Sequence, residues 1–134
     1  MKQLTIMVVD DDPDDIDLFK DALSEVDDSC RVVVANDGKD ALRQLTGSGI
    51  DPDIIFLDYN MPIMDGMRCL AALKEHPFLK NIPVVMHSTT LPVEDIATCK
   101  ALGAKILIKQ VVYTNMIREL NNILSEVRSW ERVL

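Results

Sequence analysis

Five short runs of branched aliphatic residues alternate along this chain with segments whose apolar residues return at helical spacing, and that alternation leaves few folds open. The runs are Leu4 to Val9, Val32 to Ala35, Ile54 to Leu57, Val84 to Met86 and Lys105 to Ile108, and each reads as a strand. Between them, Ile16, Phe19, Leu23 and Val26 recur with a helical period, as do Met67, Leu70 and Leu73, and then Met116, Leu120, Ile123 and Val127. Weaker helical signals cover Lys39 to Leu45 and Val93 to Leu102. A strict strand, helix, strand order implies parallel strands joined by right-handed crossovers, with helices on both faces of one sheet. Composition agrees: 48% of the residues are hydrophobic but only 4% aromatic, so Val, Ile, Leu and Met must build the core. The 134 residues suit one compact α/β domain spanning 1-134, with a last helix running to about residue 132 and no length left for an output domain.

The formal net charge of −8 argues against a surface that reads nucleic-acid phosphates, because such a surface must bring cations to displace counterions. Cys30, Cys69 and Cys99 are odd in number and lack metal-ligand spacing, so they are expected to be small packed thiols rather than a disulfide framework. No stretch approaches the roughly 20 apolar residues that span a bilayer, and Met1 to Val9 run into acids rather than a cleavage site. A cytoplasmic protein is expected.

Open parallel sheets place ligands beyond the carboxyl ends of their strands. Asp10 and Asp11 follow the first strand, Asp58 the third, Ser88 the fourth and Lys109 the fifth, so carboxylates, a hydroxyl and a cation should meet in one pocket. Crowded carboxylates repel, and a hard divalent cation relieves them. Mg²⁺ suits the set: it takes oxygen ligands, keeps several waters and leaves a position open for phosphate oxygens. Asp58 would then attack phosphorus, with Lys109 neutralising the equatorial oxygens and Ser88 hydrogen-bonding another.

Other acids have simpler roles. Asp12 precedes Pro13 as a helix cap precedes a first-turn proline, and Asp14 and Asp15 suit the helix dipole. Asp65 reads as a cap for the third helix, with Gly66 just inside it. His76 and His87 are taken as structural.

The runs Val9-Asp10-Asp11-Asp12-Pro13, Leu57-Asp58-Tyr59-Asn60-Met61-Pro62 with Asp65-Gly66, Pro83 to Ser88, and Lys109 resemble response-regulator receiver domains over almost the whole chain. The resemblance implies a flavodoxin-like (βα)5 fold with strand order 2-1-3-4-5. It also implies metal ligation by Asp11, Asp58 and the backbone carbonyl of Asn60, with Asp10 supporting through water. The phosphoryl donor would be the phosphohistidine of a sensor histidine kinase or a histidine phosphotransfer protein. The chain departs from the family in two places: Gln110 follows the lysine where proline is usual, and Ile106 stands where an aromatic ring usually turns inward. Those departures bear on output rather than on phosphoryl acceptance. Output by protein contact is expected, with a homodimer through the last helix, whose apolar stripe runs toward Trp130 and Leu134. Two other readings differ in kind: a phosphorylation-independent adaptor, and a hydrolase with Asp10 and Asp12 as its acid pair. A flavin mononucleotide carrier is disfavoured by the acids after the first strand.

Overall fold

The computed structural model describes residues 3–109 and 112–131, with side chains as far as residue 129. The strands are β1 (Thr5–Val9), β2 (Arg31–Ala35), β3 (Ile54–Leu57), β4 (Val84–Ser88) and β5 (Lys105–Ile108). The helices are α1 (Pro13–Val26), α2 (Gly38–Gly47), α3 (Gly66–Glu75), α4 (Val93–Ala101) and α5 (Tyr113–Glu131). All four strand pairings are parallel and the sheet order is β2-β1-β3-β4-β5, so the doubly wound α/β fold stands as expected.

Successive side chains of a strand point to opposite faces, which is why the strand runs are apolar throughout. Met7, Val9, Ile55, Leu57, Val84 and Met86 pack on one face with Leu45 of α2, Leu70 and Leu73 of α3 and Cys99 of α4. Their neighbours Ile6, Val8, Ile54, Phe56 and Val85 pack on the other face with Phe19 and Leu23 of α1 and Leu120 and Leu124 of α5. Phe19 and Phe56 meet with ring centroids 4.8 Å apart, and burying a side chain of that size contributes about 1.5–3 kcal/mol.

Three aspartates start helices. Asp12 accepts from the Asp14 amide at 2.9 Å with Pro13 in the first turn, Asp37 from Asp40 at 2.7 Å, and Asp65 from Arg68 at 2.9 Å. The capping roles of Asp12 and Asp65 were legible from their neighbours.

β4 runs two residues past Met86, because β5 pairs with it as far as Ser88 opposite Ile108. Met116, Leu120, Leu124 and Val127 of α5 are buried in the core, so the apolar stripe of that helix is used within the chain. The expected dimer contact therefore rests on the Trp130 side chain and on Leu134, which lie outside the described residues, as do Gln110 and Val111. All three cysteines are free; Cys69 and Cys99 are buried and Cys30 is half-buried. No described helix is long and apolar enough to cross a membrane.

Candidate functional site

The sheet itself fixes where the site residues stand. Hydrogen bonds continue the ladder one residue beyond three strand ends: Asp10 N–H donates to the Ala35 carbonyl at 3.1 Å, Asp58 N–H to Val9 at 2.9 Å, and Lys109 N–H to Ser88 at 2.8 Å. Asp10, Asp58 and Lys109 thus have their backbones pinned along the same carboxyl edge of the sheet, although they come from distant parts of the sequence. Asp10 Oδ1 also accepts from the Asp12 amide at 3.0 Å, which fixes its carboxylate.

The side chains converge as the sequence requires. Asp10, Asp11 and Asp58 each offer a carboxylate oxygen, and the three atoms lie within 4.8 Å of one another. Asp10 and Asp58 are buried, at 5% and 8% exposure, whereas Asp11 opens to solvent. Lys109 Nζ is 2.9 Å from Asp10 Oδ2 and 3.6 Å from Asp58 Oδ1. Ser88 is buried at the end of β4, where its hydroxyl donates to the Thr90 carbonyl at 3.1 Å. Asn60 lies exposed in the turn after Asp58.

Two contributors escaped the sequence reading. By its position Asp15 suits only the helix dipole, yet Lys109 Nζ donates to its Oδ2 at 2.8 Å, the shortest of the three lysine contacts. The available signal was its place in the first turn of α1, four residues after Asp11. In sequence Gly66 is an ordinary helix-start residue. In the fold its N–H donates to the Tyr59 carbonyl at 2.9 Å, and a Cβ there would lie 2.8 Å from Tyr59 Cα and against the Asp58 carbonyl.

The electrostatics follow from this crowding. Burial pushes the Asp58 carboxyl up to about 6, helped by the charges of Asp10 and Asp11 and opposed by Lys109. Burial acts against the Lys109 ammonium, but hydrogen bonds to Asp15 and Asp10 and the charge of Asp58 outweigh it and raise its pKa. His87 packs against the rings of Phe19 and Phe56. Burial and the nearby Lys109 charge hold it down to about 4, so it is neutral at pH 7.

A folded-state value of about 6 against the usual 3.8 means that the folded chain binds the Asp58 proton more tightly than the unfolded chain does. Protonated Asp58 therefore contributes stability that is fully present below pH 4 and lost as pH rises through 6. Asp58→Asn carries no such cost. In metal-free buffer it should match the wild type near pH 4 and exceed it by about 1–3 kcal/mol at pH 7.5. Urea melts at both pH values check this; an equal gain at both would show that ionisation of Asp58 is not the cause.

Similar proteins place this geometry. The response regulator receiver domain model matches residues 6–121. Protein PilG of Pseudomonas aeruginosa is 34% identical over 101 residues, covering 75% of this chain and 72% of its own length. The chain spans 16% and 22% of two longer curated relatives that it matches at 33% and 34% identity. Among solved structures, the phosphorylated cyanobacterial phytochrome response regulator RcpA superposes with a TM-score of 0.82 at 31% identity, covering 91% of both chains. The Mn²⁺-bound form of response regulator Rcp1 gives 0.77 at 29% identity, covering 91% of this chain and 92% of its own. Rcp1 of Synechocystis is itself 32% identical over 96 residues, covering 68% of this chain and 65% of its own length. The strand order, the acids gathered at one sheet edge and the match over residues 6–121 agree, and the chain belongs to the response regulator receiver domains of two-component systems.

Proposed function

We propose that this chain is a phosphoryl-accepting signalling switch or relay intermediate, with Asp58 as the acceptor. Lys109 and Ser88 bind the transferred oxygens, and Asp10, Asp11, Asp58 and the backbone carbonyl of Asn60 hold Mg²⁺. The observation that carries the reading is the convergence of carboxylate oxygens of Asp10, Asp11 and Asp58 within 4.8 Å of one another, with the Lys109 ammonium 2.9 Å from Asp10 and 3.6 Å from Asp58. Carboxylates so placed need more positive charge than one lysine supplies, and their hard oxygens suit a divalent cation. The Mn²⁺-bound relative supports that fit. When bound, the cation neutralises charge on phosphoryl oxygens.

The chain's own residues do the rest. An Asp58 carboxylate oxygen attacks phosphorus of a phosphohistidine on a sensor kinase or phosphotransfer protein. The P–N bond breaks and its electron pair stays on the imidazole, leaving an acyl phosphate on Asp58. Lys109, anchored at its backbone, reaches toward a phosphoryl oxygen, and the Ser88 hydroxyl turns from the Thr90 carbonyl to another. The chemistry is confined to the protein's own phosphorylation and dephosphorylation, and output in the cytoplasm is a contact with a partner protein.

Intact-mass analysis after incubation with acetyl phosphate, with and without Mg²⁺, tests this. The wild type should gain one phosphoryl group only with the metal, and Asp58→Asn should gain none. No gain, together with no detectable Mg²⁺ binding, would favour the phosphorylation-independent adaptor. That second reading draws on Ile106, which is half-buried on β5 and has no ring to turn inward. It expects Asp58→Ala to leave partner binding unchanged.

A further inference from the structure

We propose that Asp15 is a positioning residue that draws the Lys109 ammonium toward α1 and so holds it off Asp58 until a phosphoryl group arrives. The inference rests on the phosphoacceptor reading above.

Three carboxylates compete for one ammonium, and the competition is uneven. Lys109 Nζ makes hydrogen bonds of 2.8 Å to Asp15 and 2.9 Å to Asp10, but stands 3.6 Å from Asp58, beyond hydrogen-bond reach. The acceptor carboxylate, which a transferring phosphoryl group must approach, is thus the one the lysine serves least. Because the Lys109 amide is fixed to the Ser88 carbonyl, only the side chain can redistribute the charge. A cavity of about 180 Å³, floored by Phe19, His87 and Met116 and bordered by Asp10, Asp15 and Lys109, gives it room on the α1 side.

The two partners that hold the lysine differ in how readily they release it. The Asp10 side chain is 7% exposed and its other oxygen is held by the Asp12 amide, so it stays in place. The Asp15 side chain is 39% exposed at the first turn of α1, where water and the helix dipole stabilise its carboxylate once the ammonium leaves. Asp15 can therefore let go while Asp10 remains, and the lysine pivots toward the new oxygens about a fixed point. A dipole role alone does not account for the contact. Asp14 lies in the same turn, and its carboxylate has no bond to Lys109.

If the ammonium must leave Asp15 to reach the phosphoryl group, removing that partner speeds transfer. Asp15→Asn should raise the initial rate of phosphorylation by acetyl phosphate, at saturating Mg²⁺, by about two- to fivefold, the range that loss of one partly exposed ion pair gives. Asp15→Glu should restore the wild-type rate. Asp14→Asn removes the same charge from the same turn without touching Lys109 and should leave the rate unchanged. The Lys109 15Nζ resonance should shift in Asp15→Asn and stay put in Asp14→Asn, a readout that a helix-capping role would not move.

A rate in Asp15→Asn equal to or below that of the wild type overturns the proposal even if the resonance shifts. An equal acceleration in Asp14→Asn overturns it too, by assigning the effect to general charge. A wild type that takes up no phosphoryl group refutes the acceptor reading itself, which the intact-mass experiment shows separately.

Discussion

Replacing Lys109 with methionine should destabilise the metal-free protein by about 3–5 kcal/mol at pH 8, the range expected when one partner of a buried ion pair is removed. The substitution keeps the aliphatic stem but takes away the ammonium that Asp10, Asp15 and Asp58 share at 2.9, 2.8 and 3.6 Å. Asp10 and Asp58 are too buried for water to take over that role. Asp58 has one escape, protonation: its carboxyl is already pushed up to about 6 with the lysine present, and loss of the lysine raises it further. A carboxyl raised in the folded state costs stability as pH rises through its folded value. The deficit of Lys109→Met should therefore be largest at pH 8 and shrink toward pH 4. Millimolar Mg²⁺ should recover much of it, since a ligand that binds only the folded chain stabilises by mass action. Urea melts followed by circular dichroism at pH 4.5 and 8, with EDTA or Mg²⁺, measure all three effects. A penalty independent of pH and of Mg²⁺ would mean that the lysine acts through packing.

The second large effect falls at Gly66, whose exchange for alanine should cost about 2–4 kcal/mol and slow phosphoryl acceptance at least about tenfold. The new Cβ would press on the Asp58 carbonyl and stand 2.8 Å from Tyr59 Cα. These are backbone atoms, so no side chain can swing aside to relieve the contact. Either α3 withdraws, giving up the 2.9 Å bond from Gly66 N–H to Tyr59, or the chain carrying Asp58 shifts. Gly47→Ala is the control: nothing lies within 4 Å of a Cβ there, and the change should leave phosphoryl acceptance intact. Thermal melts and an acetyl phosphate time course on both variants decide the matter. A stable, fully active Gly66→Ala would show that α3 can move away without dragging Asp58.

The sequence by itself determined the five strands, the class of fold and the acids at the strand ends, because each depends on a one-dimensional pattern. Apolar runs three to six residues long mark strands, a helical period marks what lies between them, and Asp10 with Asp11, Asp58 and Lys109 come straight after such runs. Asp12 and Asp65 could be read as caps because a cap is a local device. The strand order was not in the periodicity and came from resemblance. The length of β4 was misjudged because pairing with β5, a non-local contact, carries the strand on to Ser88.

Only the tertiary structure decided which carboxylates hold Lys109, where the Ser88 hydroxyl points and why residue 66 is glycine. Asp15 and Lys109 are 94 positions apart, and their 2.8 Å contact depends on where the start of α1 and the end of β5 come to stand in the fold. That Met116, Leu120, Leu124 and Val127 of α5 are buried was likewise decided by the packing of α1 against that helix. Side-chain partners are set by the angles and distances between elements, and local pattern does not record them.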